Sequence, residues 1–314
     1  MVDNHGRNVN YLRLAVTDRC NLRCFYCMPE EGIDYIKRSE LLTYEEMVRL
    51  INALVGIGIE KLRITGGEPF LRKDMMDFLR IVSTSGLKEF HITTNGTLTY
   101  DHIPALKAMG VTSINLSLDT LDRKRFHDIT RRDNFDLVMG TFHRLLEYGI
   151  KTKINMVVMN GKNTQDYHLW AKPGGQYPRL SAFYRGRCLS MVLEITSRPR
   201  VESSAIKEEL RGDLSHLDFC AVKSRATATT TYQVRVPHSR HYRGRIVVLF
   251  VAHAIGSRIT PQGMFAHLLI LTRGVLQHKD LMRKGAFGSA IQDAVISISW
   301  GRAAYGFVRL ESKR

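Results

Sequence analysis

The sequence predicts an α/β fold: a partial (β/α)6 barrel of the TIM type with a C-terminal covering segment. Three observations carry this. From Tyr11 to about Asp166, short apolar strands alternate with amphipathic helices. Repeated alternation of this kind implies right-handed crossovers and a parallel sheet. Three cysteines crowd the loop directly after the first strand. That is the end of a strand where barrels of this type place their ligands.

Taken in order, the first strand spans Tyr11–Val16. The helix behind it carries Met47, Leu50, Ile51, Leu54 and Val55 at helical spacing, which gives one apolar face. Thr43 with Glu46 three residues on is a capping box, and Gly56 and Gly58 supply the stop. The second strand is Lys61–Thr65, and a helix with Met76, Leu79 and Val82 on one side follows Lys73. The third strand is Glu89–Thr94. Its helix starts at Asp101, carries Ile103, Leu106 and Met109, and stops at Gly110. The fourth strand is Thr112–Leu118, and the helix before Gly149 carries Phe135, Val138, Met139, Phe142 and Leu145. The fifth is Lys153–Val158. Beyond Asp166 the rhythm stops: Tyr167–Phe250 is rich in Arg and Ser, and no element is assigned there. The chain therefore divides into a core, residues 1–166, and a divergent C-terminal region, residues 167–314.

With 314 residues the chain can bury a substantial core. No run of about 18 apolar residues occurs, so no membrane span is expected. The stretch Met1–Arg7 lacks the apolar segment of a secretory signal, which points to the cytoplasm. A net charge of +16 favours an anionic partner: nucleic acid, an anionic membrane or a phosphorylated small molecule. No single Lys/Arg block dominates, so solvation of an ordinary surface is the alternative.

Cys20, Cys24 and Cys27 form a C-x3-C-x2-C run. So tight a cluster is a poor disulfide framework and points to metal or redox chemistry in a reducing compartment. Thiolates are the usual ligands of iron–sulfur clusters. Three of them hold three irons of a 4Fe-4S cubane and leave the fourth open for a ligand. A structural zinc site would want four ligands, and His5 is the nearby fourth candidate. Inert buried thiols are the third reading. The run Arg63–Pro69 is a strand ending in the pair Gly66-Gly67, which permits close backbone approach to a ligand or forms an ordinary strand-to-helix turn.

The segment Leu14–Pro29, with its three cysteines, together with the Gly66-Gly67-Glu68-Pro69 run, resembles the radical SAM superfamily. Within it the segment is similar to the GTP 3′,8-cyclase family of molybdenum cofactor biosynthesis. The likeness is close over about residues 11–166 and weak near 258–286. It implies a 4Fe-4S cluster on Cys20, Cys24 and Cys27 that cleaves S-adenosylmethionine (SAM) to a 5′-deoxyadenosyl radical. It implies SAM contacts at Tyr26, Gly67 and Ser117, and GTP contacts at Arg13, Arg63, Thr93 and Lys153, with Arg258 as a weaker match. Arg and Lys at strand ends suit a triphosphate. A reductant or electron-transfer protein is implied as partner, with GTP as substrate and a monomer or homodimer as the assembly. The family's second 4Fe-4S cluster uses C-x2-C-x13-C. Here the corresponding positions are Val251, Ala254 and Leu268, none of which ligates iron, and Cys188 and Cys220 do not fit the spacing. The alternatives are a diverged or inactive radical SAM homologue lacking that cluster, and a basic nucleic-acid-binding protein with a metal-stabilised loop.

Overall fold

The computed structural model describes residues 10–29, 31–159, 162, 163, 166, 261 and 262, together with the backbone of the C-terminal strands given below. Strands β1 (Tyr11–Ala15), β2 (Lys61–Thr65), β3 (Glu89–Thr94), β4 (Ser113–Ser117) and β5 (Lys151–Val158) lie side by side in chain order. All five run parallel. Helices α1 (Tyr44–Gly56), α2 (Met75–Ser83), α3 (Ile103–Ala108), α4 (Arg123–Thr130) and α5 (Phe135–Glu147) fill the crossovers. Beyond β5, β6 (Ser190–Ile195) and then β9 (Gly244–Leu249) continue the parallel ladder. An antiparallel pair, β7 (Asp218–Lys223) and β8 (Thr230–Arg235), closes that edge. At the other edge β10 (Ser257–Ile259) pairs parallel to β1, followed by antiparallel β11 (Met264–Ala266) and β12 (Leu276–Gln277). The fold is a partial barrel, and its described C-terminal strands extend the sheet at both edges.

Several expectations shift in detail. β1 ends at Ala15, β4 is trimmed at both ends, and β5 begins at Lys151. A 3-10 turn at Tyr100–His102 precedes α3, where Pro104 sits in the first helical turn. Helix α4 escapes the periodicity because it is mostly charged. Only Phe126, Ile129 and Thr130 are buried, and the Asp122 carboxylate caps it by accepting from Arg125 N at 2.7 Å. The stretch 167–250, where the sequence marks no element, contains β6 to β9. In β8, Thr231, Gln233 and Arg235 alternate with Tyr232 and Val234, a two-residue period.

Alternation along the strands sorts the side chains. Leu12, Leu14, Leu62 and Ile64 are fully buried on one face. They pack against Met47, Leu50, Ile51 and Leu54 of α1 and Phe78, Leu79 and Val82 of α2 in one continuous core. The intervening residues Tyr11, Arg13, Lys61, Arg63 and Thr65 turn to the inner face and are half-buried. Helix α1 begins with the complete capping box: Thr43 Oγ1 accepts from Glu46 N at 3.2 Å, and Glu46 Oε2 accepts from Thr43 N at 2.7 Å. No helix among the described residues is long and apolar enough to cross a membrane.

Thr43→Ala removes one half of this box and should cost about 1 kcal/mol of stability, read as a lower melting temperature. An unchanged melting curve would mean that the box does not hold the start of α1.

Candidate active site

The cysteine loop is fastened on both sides by backbone hydrogen bonds. Toward β2, Val16 N donates to Thr65 O at 2.9 Å, Gly67 N to Thr17 O at 2.8 Å and Glu68 N to Arg19 O at 2.8 Å. The two loops run so close that a Cβ on Gly67 would stand 2.2 Å from Arg19 O, and one on Gly66 would stand 2.5 Å from Thr17 O. The glycine pair is thus required by the approach of the two chains. Toward α4, Arg23 N donates to Thr130 O at 2.9 Å and Phe25 N to Ile129 O at 3.1 Å. A turn follows, with Cys27 N and Met28 N both donating to Cys24 O at 2.9 Å.

Side chains add the remaining ties. Glu68 is wholly buried; its carboxylate accepts from Asn95 N at 2.7 Å, Thr94 Oγ1 at 2.9 Å and Phe70 N at 3.1 Å. Burial pushes its carboxyl up to about 7 against these three donors. Asn95 donates to Asn21 Oδ1 at 2.9 Å and approaches Cys20 Sγ at 3.7 Å. Asp119, at the end of β4, accepts from the Tyr26 hydroxyl at 2.7 Å and from Val157 N at 2.8 Å. Asn163 donates to Asp119 O at 2.8 Å, and the carboxylate of Asp166 joins Thr120 and Arg125. Tyr26 as a whole residue is 37% exposed, and its hydroxyl is tied to Asp119.

Cys20, Cys24 and Cys27 are free thiols, Cys27 exposed and the other two half-buried. Burial, with the Asp119 carboxylate next, pushes Cys24 up to about 12. Three thiolates gathered here without a cation would repel one another and Asp119. Among the described residues no three His, Cys, Asp or Glu side chains converge on the point of a single metal ion. Cysteine thiolates are the usual ligands of iron–sulfur clusters, and the donors gathered on this loop are three cysteine thiols. His5, the proposed fourth zinc ligand, lies outside the described residues, as do Cys188, Val251, Ala254 and Leu268; Cys220 lies on β7, the far edge strand.

Below the loop, the inner face of the sheet is polar and basic. The parallel register aligns Arg258, Arg13, Arg63 and His91 in one row. Thr93, Asn115 and Lys153 form the next row toward the strand ends. Arg63 donates to the Tyr11 hydroxyl and reaches Thr93 Oγ1 at 3.5 Å, while Arg13 lies over the Tyr11 ring at 5.4 Å. Burial and the charge of Arg63 hold His91 down to about 4, so it is neutral, set between Ser113 Oγ at 2.8 Å and Glu89 at 3.0 Å. The same two causes lower Lys153 to about 8. The structure therefore places Tyr26 and Gly67 with the cysteines, Ser117 at the β4 end, and Arg13, Arg63, Thr93 and Lys153 on one inner face; Arg258 shares their register. Glu68, Asn95, Asn115 and Asp119 also stand at this site, and of these the sequence marks only Glu68, as a member of the Gly66–Pro69 run. The first two stand inside or beside conspicuous runs, but nothing in the spacing marks their partners.

The model of the radical SAM superfamily matches residues 14–171. The chain belongs to that superfamily. A 4Fe-4S cluster and SAM are accordingly its cofactors. The GTP 3′,8-cyclase of Geobacter sulfurreducens is 47% identical over 165 residues, 52% of this chain and 51% of the relative. That of Desulforamulus reducens is 42% identical over 180 residues, 57% and 55%. The mitochondrial GTP 3′,8-cyclase of Arabidopsis thaliana is 44% identical over 168 residues, 53% and 43%. The chain spans about half the length of the curated relatives it matches. Streptococcus suis SuiB bound to S-adenosylmethionine shares the fold, with a TM-score of 0.57 at 15% identity, over 90% of this chain and 67% of that one. Histidine-tagged anSMEcpe with bound AdoMet does so at 0.54 and 14%, over 92% and 83%.

Gly67→Ala should drive the two loops apart, lowering both the melting temperature and the iron taken up on anaerobic reconstitution. Gly140→Ala, on α5 with Tyr100 carbons at an ordinary 3.7 Å, should stabilise the fold by about 0.5–1 kcal/mol. Equal behaviour of the two variants would contradict the close-approach account.

Proposed function

We propose that this chain is a radical SAM enzyme of the GTP 3′,8-cyclase type, acting on GTP in the first step of molybdenum cofactor biosynthesis. The observation that carries the reading is the basic inner face directly beneath the cysteine loop: a site for a polyanion within reach of a radical source. The curated relatives are GTP 3′,8-cyclases, and the likeness lies in this half of the chain. The radical SAM core is assigned to residues 1–166 and the divergent region to 167–314.

Cys20, Cys24 and Cys27 would hold the cluster. A reduced cluster held there would supply the electron for cleavage of SAM to methionine and a 5′-deoxyadenosyl radical. Gly67, the Tyr26 ring and Ser117 would orient SAM. Arg13, Arg63 and Lys153 would hold the triphosphate, with Thr93 beside them and Arg258 at their row. Arg binds phosphate oxygens in a bidentate fork and Lys as a point charge. Sequestration beneath the loop would keep the radical from water and fix one C–H bond as its target. A reductant or electron-transfer protein would complete the turnover.

Anaerobic reconstitution, followed by reductant and SAM with or without GTP, tests the reading. GTP should stimulate 5′-deoxyadenosine formation, and Cys24→Ala should abolish it. SAM cleavage indifferent to GTP would overturn the substrate assignment.

Lys153 adds a pH dependence. Its lowered pKa means that the ammonium is lost as pH rises through about 8, well below the usual lysine range. Affinity for inorganic triphosphate should therefore fall between pH 7 and pH 9. Lys153→Arg, charged throughout, should keep most of it. Parallel loss in both proteins by calorimetry would show that Lys153 is not the titrating group.

A further inference from the structure

Asn115 lies on β4, in register between Thr93 on β3 and Lys153 on β5. Its Oδ1 is buried and has no hydrogen-bond partner among the described residues. A buried amide oxygen left unpaired is destabilising, and native proteins concentrate such groups where a ligand completes them. The neighbours make the case specific. The cations around it, Arg13 and Arg63 in the row below and Lys153 beside it, supply donors only, while His91 and Ser113 of that row and Thr93 on its other side complete its surroundings. An acceptor among cations is of no use to a phosphate and repels its oxygens. It suits a group that donates.

The register also fixes the depth. The Arg13–Arg63–His91 row lies two residues deeper along the strands than the Thr93–Asn115–Lys153 row, and Ser117 lies two residues nearer the mouth. A triphosphate that runs from the Arg13–Arg63 row up to Lys153 brings the ribose joined to it to the level of Asn115, beneath a radical source at the mouth. We infer that Asn115 is a specificity-determining residue whose Oδ1 accepts a hydrogen bond from a ribose hydroxyl of the nucleotide. This rests on the GTP reading given above and extends it to a residue which that reading does not use.

The test is calorimetric binding of GTP, 2′-deoxy-GTP and 3′-deoxy-GTP to the anaerobically reconstituted protein, to Asn115→Ala and to Asn115→Asp. In the wild type one deoxy analogue should bind about tenfold more weakly than GTP, the size of one neutral hydrogen bond. Asn115→Ala should bind GTP as weakly as that analogue and no longer distinguish the two. Asn115→Asp, which keeps an acceptor, should still distinguish them. The melting temperature of the ligand-free Asn115→Ala protein should not drop, because Oδ1 holds nothing in place. Discrimination that survives in Asn115→Ala, or a wild type that binds all three alike, would overturn the assignment while leaving the GTP reading standing. A wild type that binds none of the three would sink both.

Discussion

The contact on which the rest depends is the backbone seam between residues 16–19 and 65–68. Three hydrogen bonds of 2.8–2.9 Å close it, and it exists only because position 67 carries no Cβ. On one side of the seam the chain runs directly into the cysteines. On the other it runs into Glu68, whose buried carboxylate gathers the backbone and hydroxyl donors at the end of β3. The end of β4 joins through Asp119 and Tyr26, and β5 joins through Val157. Each strand end is thus tied to the same loop. Cys20, Cys24 and Cys27 are held by the ends of β1–β5 rather than by one flexible turn, the kind of preorganisation that the radical chemistry proposed above requires.

The second constraint is electrostatic. The outer face of the sheet is apolar and packs on α1 and α2, so the inner face must take the polar residues, and those are mostly basic. Such a face is costly when empty. His91 gives up its proton and Lys153 is held weakly, both because burial and Arg63 oppose further positive charge. A polyanion bound there would offset that charge, in keeping with the nucleotide substrate proposed above. Part of the +16 net charge thus lies on the inner face of the sheet, on Arg13, Arg63 and Lys153.

Much of this is legible in the sequence alone. The C-x3-C-x2-C spacing names the chemistry, and the capping box at Thr43 and Glu46 locates the start of α1 to the residue. The alternation of Leu12, Arg13 and Leu14 implies the two faces. Legibility fails where the determining partner is distant in sequence. Asp119 is an ordinary acidic residue until Tyr26, 93 positions away, donates to it. Glu68 looks like part of a turn, whereas its partners come from the end of β3. Helix α4 hides because its charged residues outnumber the two apolar ones that anchor it, although its last carbonyls hold the cysteine loop. The strands beyond residue 190 hide because single short strands embedded in Arg- and Ser-rich sequence give too little periodicity to stand out.

Whether this seam holds three thiols for one cluster with an open iron is tested most directly by electron paramagnetic resonance. The sample is the reduced, anaerobically reconstituted protein, with iron quantified in parallel. One 4Fe-4S cluster per chain is expected, with a spectrum that changes when SAM is added and a signal lost in Cys24→Ala. A spectrum indifferent to SAM, or a cluster that persists without Cys24, would contradict the claim.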